Sequence, residues 1–458
     1  MTTTMDNAAW AAERAVELCP ADGGCVAVAD ESSAVHLRWA ANAPTTSGAT
    51  TGRRLTVAAM TDGATGVAAW HGDWDEDSVA ALVTAATETA RRAEPSPDAS
   101  PLVPPWDPAS DSEERGVAPS AGLDALLPGL ATAFERARRG GRLLYGYAEH
   151  QVRTSCVASS TGLRLRHVQP SGVLDLTARR AGHPASAWAG SGAPEPGDPV
   201  AMAGRLDERL DRPVRSAQLP PGRYEVLLPP SGTADLMLHL YEALAAWAAH
   251  RGQSVFSGPD GRTRLGERLS EVALTLYSDP AEPGLECTPF TIARASTAAT
   301  SVFDNGLPLT RTDWITGGVL TALTRTRASA AAHGLPCTPE IGNLVLRGED
   351  RGRTLAEMVA GTERGLLLTS LWYLRDVDPR ALLLTGVTRD GVYLVEHGEV
   401  TAAVPDFRFN ESPVALLGRV TEAGRTEPAL PREWGEWPVR TAMPALRISD
   451  FGVADPAS

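Results

Sequence analysis

Pro221-Gly222-Arg223-Tyr224-Glu225-Val226-Leu227-Leu228-Pro229-Pro230, followed by the apolar run from Thr233 to His250, is the stretch on which the fold turns. Gly222 and the double proline bound a short apolar segment, which predicts a strand over 223–228. The Ala- and Leu-rich run behind it predicts a helix over 233–250, closed by Gly252.

Downstream of this unit, strand-like segments dominate at 272–277, 301–303, 343–346, 365–374, 392–396 and 399–404. Asp-Asn-Gly, Arg-Asp-Gly and Glu-His-Gly turns punctuate them. Helical patterns are expected only at 315–327 and 354–362. Upstream, helices are expected at 6–18, 76–92, 122–139 and 200–210. Short strands are expected at 26–29, 35–39, 55–60, 66–71, 143–152, 155–159 and 163–176.

Residues 94–119 hold seven prolines and one large apolar anchor, Trp106, and read as a surface loop. A second polar stretch spans 191–199, and 212–222 marks a boundary. The expectation is an α+β protein: an N-terminal α/β domain (1–215), then a β-rich, largely antiparallel C-terminal domain (216–458).

The 458 residues carry a formal net charge of −14, and all 42 basic residues are arginine. Such an acidic chain is a poor match for the phosphate backbone, so no nucleic-acid partner is expected. The absence of lysine removes Schiff-base chemistry and the P-loop lysine. No segment approaches the roughly 18 apolar residues of a membrane span, and the first 20 residues lack the pattern of a secretory signal. Five widely spaced cysteines make neither a disulfide framework nor a zinc-finger arrangement, so a cytoplasmic location is expected.

Nucleophile elbows, Walker A loops and dinucleotide fingerprints are missing. His239 and Glu242 are three residues apart and share a helical face, so both could reach one ion. The simpler reading is a buried helix with one partnered histidine. His250 returns to the same face as His239 but lies about 16 Å along the axis, too far for a shared metal. His397 falls in a Glu-His-Gly-Glu hairpin tip, and His150 in a strand without companion ligands.

The order of segments from Pro221 onward resembles the TldD/PmbA family. The resemblance rests on the strand and helix quoted above, on Arg251-Gly252-Gln253-Ser254-Val255-Phe256, and on Leu274-Thr275-Leu276-Tyr277-Ser278-Asp279-Pro280. Its most specific part is Phe303-Asp304-Asn305-Gly306-Leu307-Pro308 with Trp314-Ile315-Thr316-Gly317-Gly318-Val319-Leu320 behind it. Glu396-His397-Gly398-Glu399-Val400 and Met443-Pro444-Ala445-Leu446-Arg447-Ile448 complete it. In the N-terminal half only Ala158-Ser159-Ser160-Thr161-Gly162 resembles a family turn.

The family's catalytic members hold zinc on an H-E-x-x-x-H helix and a later cysteine. Here His239 falls on the first histidine, Leu240 replaces the glutamate, Leu244 replaces the second histidine, and no cysteine follows Cys337. The resemblance therefore implies the non-catalytic TldE-like side of the family, with no catalytic residue and no metal in this chain. It implies a cytoplasmic heterodimer with a TldD-like catalytic subunit that carries the zinc and cleaves extended peptides. It also implies a use in peptide or antibiotic natural-product biosynthesis. Tyr373 to Leu382 departs from the family's Asn-Pro-x-Thr-Gly stretch, which points to a specialised substrate. Two alternatives stand beside this reading: an autonomous hydrolase or transferase built on His239 and Glu242, and a module that binds and delivers a peptide.

Overall fold

A computed structural model describes residues 7–107, 119–180, 185–193, 197–211, 215–348, 352–433 and 440–454. The architecture is α+β, with helices packed on sheets that are mainly antiparallel.

The first half builds a six-stranded sheet from β1 (Gly24–Ala40), β2 (Ala43–Thr61), β3 (Ala64–His71), β4 (Arg142–Ser159), β5 (Arg164–Arg180) and β6 (Ser186–Ala193). Their order is β3-β2-β1-β4-β5-β6, and every neighbouring pair is antiparallel. Four helices accompany them: α1 (Asn7–Leu18), α2 (Glu76–Arg92), α3 (Pro119–Arg139) and α4 (Pro199–Asp211). α2 starts where Asp75 and Ser78 satisfy each other's backbone N–H groups, with acids in its first turn and Arg91 and Arg92 in its last.

Side chains along a strand alternate between faces, and that alternation sorts the sheet's contacts. Cys25, Ala27 and Ala29 of β1 bury against α1 and α2, while Leu37 and Trp39 bury against α3 and α4. The intervening Val26 and Val28 face the other way. There they meet Val103 and Trp106 of the proline-rich segment, together with Phe290, Val302 and Phe303 from the second half of the chain. Polar links reinforce this junction. Arg294 donates to Asp30 at 2.8 and 2.6 Å, and the Trp106 indole N–H donates to the carbonyl of Gly306 at 2.7 Å. Arg440 donates to the carbonyl of Pro170 and, at 3.1 Å, to Ser171 Oγ.

The second half forms a twelve-stranded sheet. Its strands are β7 (Arg215–Ser216), β8 (Gly222–Leu228), β9 (Thr275–Ser278), β10 (Thr312–Thr316), β11 (Val319–Leu320), β12 (Leu344–Arg347), β13 (Arg364–Asp378), β14 (Leu383–Glu396), β15 (Glu399–Val404), β16 (Arg408–Glu411), β17 (Val420–Ala429) and β18 (Thr441–Val453). The path runs β11-β10-β9-β12-β18-β8-β13-β14-β15-β7, with β16 on β14 and β17 on β18. The β12–β18, β8–β13 and β7–β15 pairs are parallel, and the rest are antiparallel. The helices here are α5 (Pro230–Glu242), α6 (Ala246–His250), α7 (Arg327–His333), α8 (Leu355–Ala360) and α9 (Pro413–Leu417). α5 and α6 bury their apolar residues in one large core with β8, β12, β13, β14 and β18.

Several local expectations change. The helix expected over 315–327 is instead the β10–β11 hairpin, turned at Gly317 and Gly318 with φ of +55° and +84°. A Cβ on Gly318 would sit 2.2 Å from the carbonyl oxygen of Ser270, so only glycine fits. The helix begins later, at Arg327, capped by the Thr326 hydroxyl. The helix expected over 233–250 breaks after Glu242, because residues 244–246 exchange backbone hydrogen bonds with Thr324. The strand expected over 301–303 is a 3₁₀ turn, Val302–Asp304.

β2 reaches back through the polar residues 43–54, where the sequence offers no apolar alternation, because β1 supplies a continuous partner. The segment 143–159 is one uninterrupted strand. Residues 191–193 of the expected polar stretch belong to β6, and 194–196 lie outside the described residues. Within the proline-rich segment, Val103 is buried, while 108–118 lie outside the described residues. The cysteine spacing suggested no pairing, yet Cys19 and Cys25 form a disulfide. Among the described residues no helix is long and apolar enough to cross a membrane.

Candidate functional site

The two prolines that end β8 also start α5. Pro229 is extended (φ −72°, ψ 164°) and Pro230 occupies the first helical turn, where its missing N–H costs nothing. The helix that follows is apolar almost all round. Leu236, Met237, Leu240 and Leu244 are fully buried, and each such leucine contributes about 1.5–3 kcal/mol. Tyr241 locks the helix in place: its hydroxyl donates to the Ile341 carbonyl at 3.1 Å and accepts from the Ile341 N–H at 2.8 Å.

One face of α5 is polar. Asp235, His239 and Glu242 recur at spacings of four and three, and they bring three titratable groups into line. Asp235 is wholly buried, and burial raises its carboxyl well above the usual range. Its Oδ1 accepts the backbone N–H of Glu433 at 3.0 Å. The Glu433 carboxylate in turn accepts the N–H groups of Tyr373, at 2.5 Å, and Leu374, at 3.1 Å. This clamps β13 where Tyr373 takes a left-handed conformation (φ 59°).

Arg432, next in the chain, is the hub of a second buried cluster. It reaches Asp390 Oδ2 at 2.5 Å and donates to Ser370 Oγ at 2.5 Å. Its guanidinium lies 4.9 Å from the Trp188 ring centroid and 5.1 Å from that of Trp372, a favourable cation–π arrangement. The Trp188 indole N–H donates to Asp175 Oδ2 at 2.6 Å, so the network joins β5 and β6 of the first sheet to β13 and β14 of the second. Burial raises Asp175 and pushes Asp406 up to about 6; in both cases Asp390 adds to the rise and Arg432 opposes it.

At the far end of α5, burial lowers the pKa of His239, with Asp376 opposing and Arg375 assisting. Glu242 is raised by burial and by the charges of Glu340 and Asp376. A histidine and a carboxyl on one helical face, with their titrations drawn toward each other, is a combination that acid–base chemistry uses. It does not amount to a zinc centre, which takes three or four nitrogen, oxygen or sulfur donors. The positions one and five residues after His239 are Leu240 and Leu244, both packed into the apolar core. Among the described residues no three His, Cys, Asp or Glu side chains gather in a way that would hold a metal ion.

The other histidines lie elsewhere. His250 stacks on His333 with centroids 3.7 Å apart. His397 occupies the β14–β15 turn, 2.7 Å from Glu363 and largely exposed, and His150 is buried in β4. Sequence reading missed Asp235, Arg432, Glu433, Asp390 and Trp188, which come from four separate segments. The one local signal was a lone aspartate inside the apolar run of α5. Beside the N-terminal end of α5 lies a cleft of about 440 Å³ between the two sheets, lined by Trp188, Arg205, Arg209, Ser231, Glu427 and Leu430 among others.

Comparison with known proteins places this geometry. Residues 221–455, just over half of the chain, match the PmbA/TldA metallopeptidase C-terminal domain. The fold is similar to that of TldE from Thermococcus kodakarensis, with a TM-score of 0.78 at 16% identity, covering 97% of this chain and 99% of that one. It is also similar to a putative modulator of DNA gyrase from Thermotoga maritima, with a TM-score of 0.76 at 17% identity and coverage of 94% and 96%. A putative modulator of DNA gyrase from Bacteroides thetaiotaomicron gives 0.77 at 16% identity, with coverage of 99% and 100%. No curated protein sequence matches significantly.

Proposed function

This chain belongs to the PmbA/TldD metallopeptidase family, and from that premise we propose that it is the non-catalytic, TldE-like subunit of a TldD/TldE-type heterodimeric zinc metallopeptidase complex. One observation carries the reading. The two positions that would complete a zinc site after His239 hold Leu240, in α5, and Leu244, just past its end, and both are fully buried in the apolar core. Replacing them with ligands would require burying polar groups in an apolar interior, at a cost of about 2–7 kcal/mol each without compensation. The helix has kept its place in the fold as a packing element.

On this reading the zinc and the peptide-bond chemistry reside in a TldD-like partner, and this chain supplies cavity wall and stability in a cytoplasmic assembly. The substrate is an extended peptide or a peptide-derived small molecule of natural-product biosynthesis. Support for specialisation comes from Tyr373 to Leu382, which departs from the family pattern. It forms the exposed end of the β13–β14 hairpin, with Tyr373 60% and Val377 56% exposed. Size exclusion of this chain mixed with a family member that carries H-E-x-x-x-H tests the pairing. A single 1:1 peak is expected, and two separate monomer peaks would sink it.

The shared helical face of His239 and Glu242 favours one second reading, an autonomous hydrolase or transferase. Changing both residues to alanine would then abolish activity, whereas a complex that keeps its full rate with both changed rules this out.

A further inference from the structure

Away from α5's polar face, the loop spanning 288–309 and the segment 339–342 line a partly open cavity of about 170 Å³. For scale, a cavity of about 150 Å³ accommodates benzene, so this one takes a group of roughly six heavy atoms. Its wall is mixed: Thr288, Thr291, Ser301, Asp304, Thr326 and Glu340 supply polar groups, and Phe290, Ile292 and Leu309 supply apolar ones.

Three of these groups are already committed. Asp304 binds Arg327 at 2.7 Å through its side chain and at 3.1 Å through the backbone N–H. Ser301 Oγ donates to Asp98 Oδ2 at 2.7 Å, and the Thr326 hydroxyl caps α7. Two are not. Thr291 is 8% exposed, and its hydroxyl has no hydrogen-bond partner, although a buried hydroxyl normally finds one. Among the described residues Glu340 forms no ion pair, and burial alone raises its carboxyl above the usual range. Its charge also raises the titrations of Tyr241 and Glu242. A lone carboxylate and an idle hydroxyl lining one small cavity call for a compact cation that donates hydrogen bonds. A divalent metal would demand six or more oxygen ligands with several carboxylates, and the cavity has a single uncommitted one.

We propose that this cavity binds the primary ammonium end of a small amino compound or peptide, with Glu340 as counter-ion and the Thr291 hydroxyl as a hydrogen-bond acceptor. The ammonium supplies three donors, and the apolar side formed by Phe290 suits the carbon that bears it. The site is independent of the pairing proposed above, since every contributing residue lies in this chain.

Calorimetric titration of the full-length chain with L-alaninamide, N-acetyl-L-alaninamide and trialanine amide tests the site. Saturable binding of L-alaninamide and none of the acetylated compound is expected. Glu340→Gln should weaken binding by at least about tenfold, the scale of one charge-assisted hydrogen bond. Thr291→Val, which keeps the shape, should weaken it severalfold and serves if Glu340→Gln does not fold. Binding of trialanine amide as well identifies a peptide N-terminus as the guest, and its failure to bind identifies a free small amine. No saturable binding of L-alaninamide, equal binding of the acetylated compound, unchanged affinity in a folded Glu340→Gln, or displacement by potassium ion at equal concentration would each overturn the proposal.

Discussion

The backbone N–H of Glu433 donates to the carboxylate of Asp235 at 3.0 Å, across 198 positions of sequence. This one bond ties the buried face of α5 to the segment after β17. Through the Glu433 carboxylate it also fixes the bend of β13 at Tyr373.

Asp235 is the first target. Burial raises its carboxyl well above the usual range in the native state, while the unfolded chain ionises it near pH 4. The native state therefore binds more protons above that pH, and the stability contributed by this group falls as pH rises toward neutrality. Asp235→Asn keeps an acceptor for the Glu433 N–H and removes the titration. Urea unfolding at pH 4.5 and 7 should show the variant gaining on the parent chain as pH rises. A stability difference independent of pH would contradict the raised titration of the buried carboxyl.

Arg432 answers to Asp390, which is only 4% exposed, and lies against both Trp188 and Trp372. Arg432→Met strands a buried carboxylate and should cost about 3–5 kcal/mol. Adding Asp390→Asn should return part of that loss, because the stranded charge disappears. Chemical denaturation of the single and double variants measures the coupling, and additive losses would argue against a direct pair.

Gly318 decides between a hairpin and a helix over 315–327. With φ at +84° and no room for a Cβ, Gly318→Ala should destabilise the protein by about 1–3 kcal/mol. Were the segment helical, the same change would stabilise it by up to about 1 kcal/mol. The sign of the shift in the unfolding midpoint is the readout.

These cases show what the sequence made legible. Helices with a clean apolar stripe stood out: the pattern over 76–92 is α2, and that over 200–210 is the body of α4. The Glu-His-Gly triplet marked a real reversal at His397-Gly398, between β14 and β15, whereas Asp390-Gly391, expected as a turn, is a bulge inside β14 where the pairing with β13 shifts register. Trp314, Ile315, Val319, Leu320 and Leu323 carry a helix-like spacing, yet two glycines with positive φ override it. Residues 43–54 are strand because β1 offers a long partner, which is a tertiary cause with no local signature. Likewise, the helix that carries His239 was visible, and so were the leucines after it. The network around it was not, because Asp175, Trp188, Asp390, Arg432 and Glu433 converge only when both sheets are in place.

On the proposed reading this chain walls the cavity of a zinc-bearing partner and holds no zinc itself. Metal analysis of the purified complex, and of each chain after separation, tests it most directly. The prediction is one zinc per heterodimer, retained by the H-E-x-x-x-H partner, with far less than one per chain here. Stoichiometric zinc held tightly by this chain alone would contradict it.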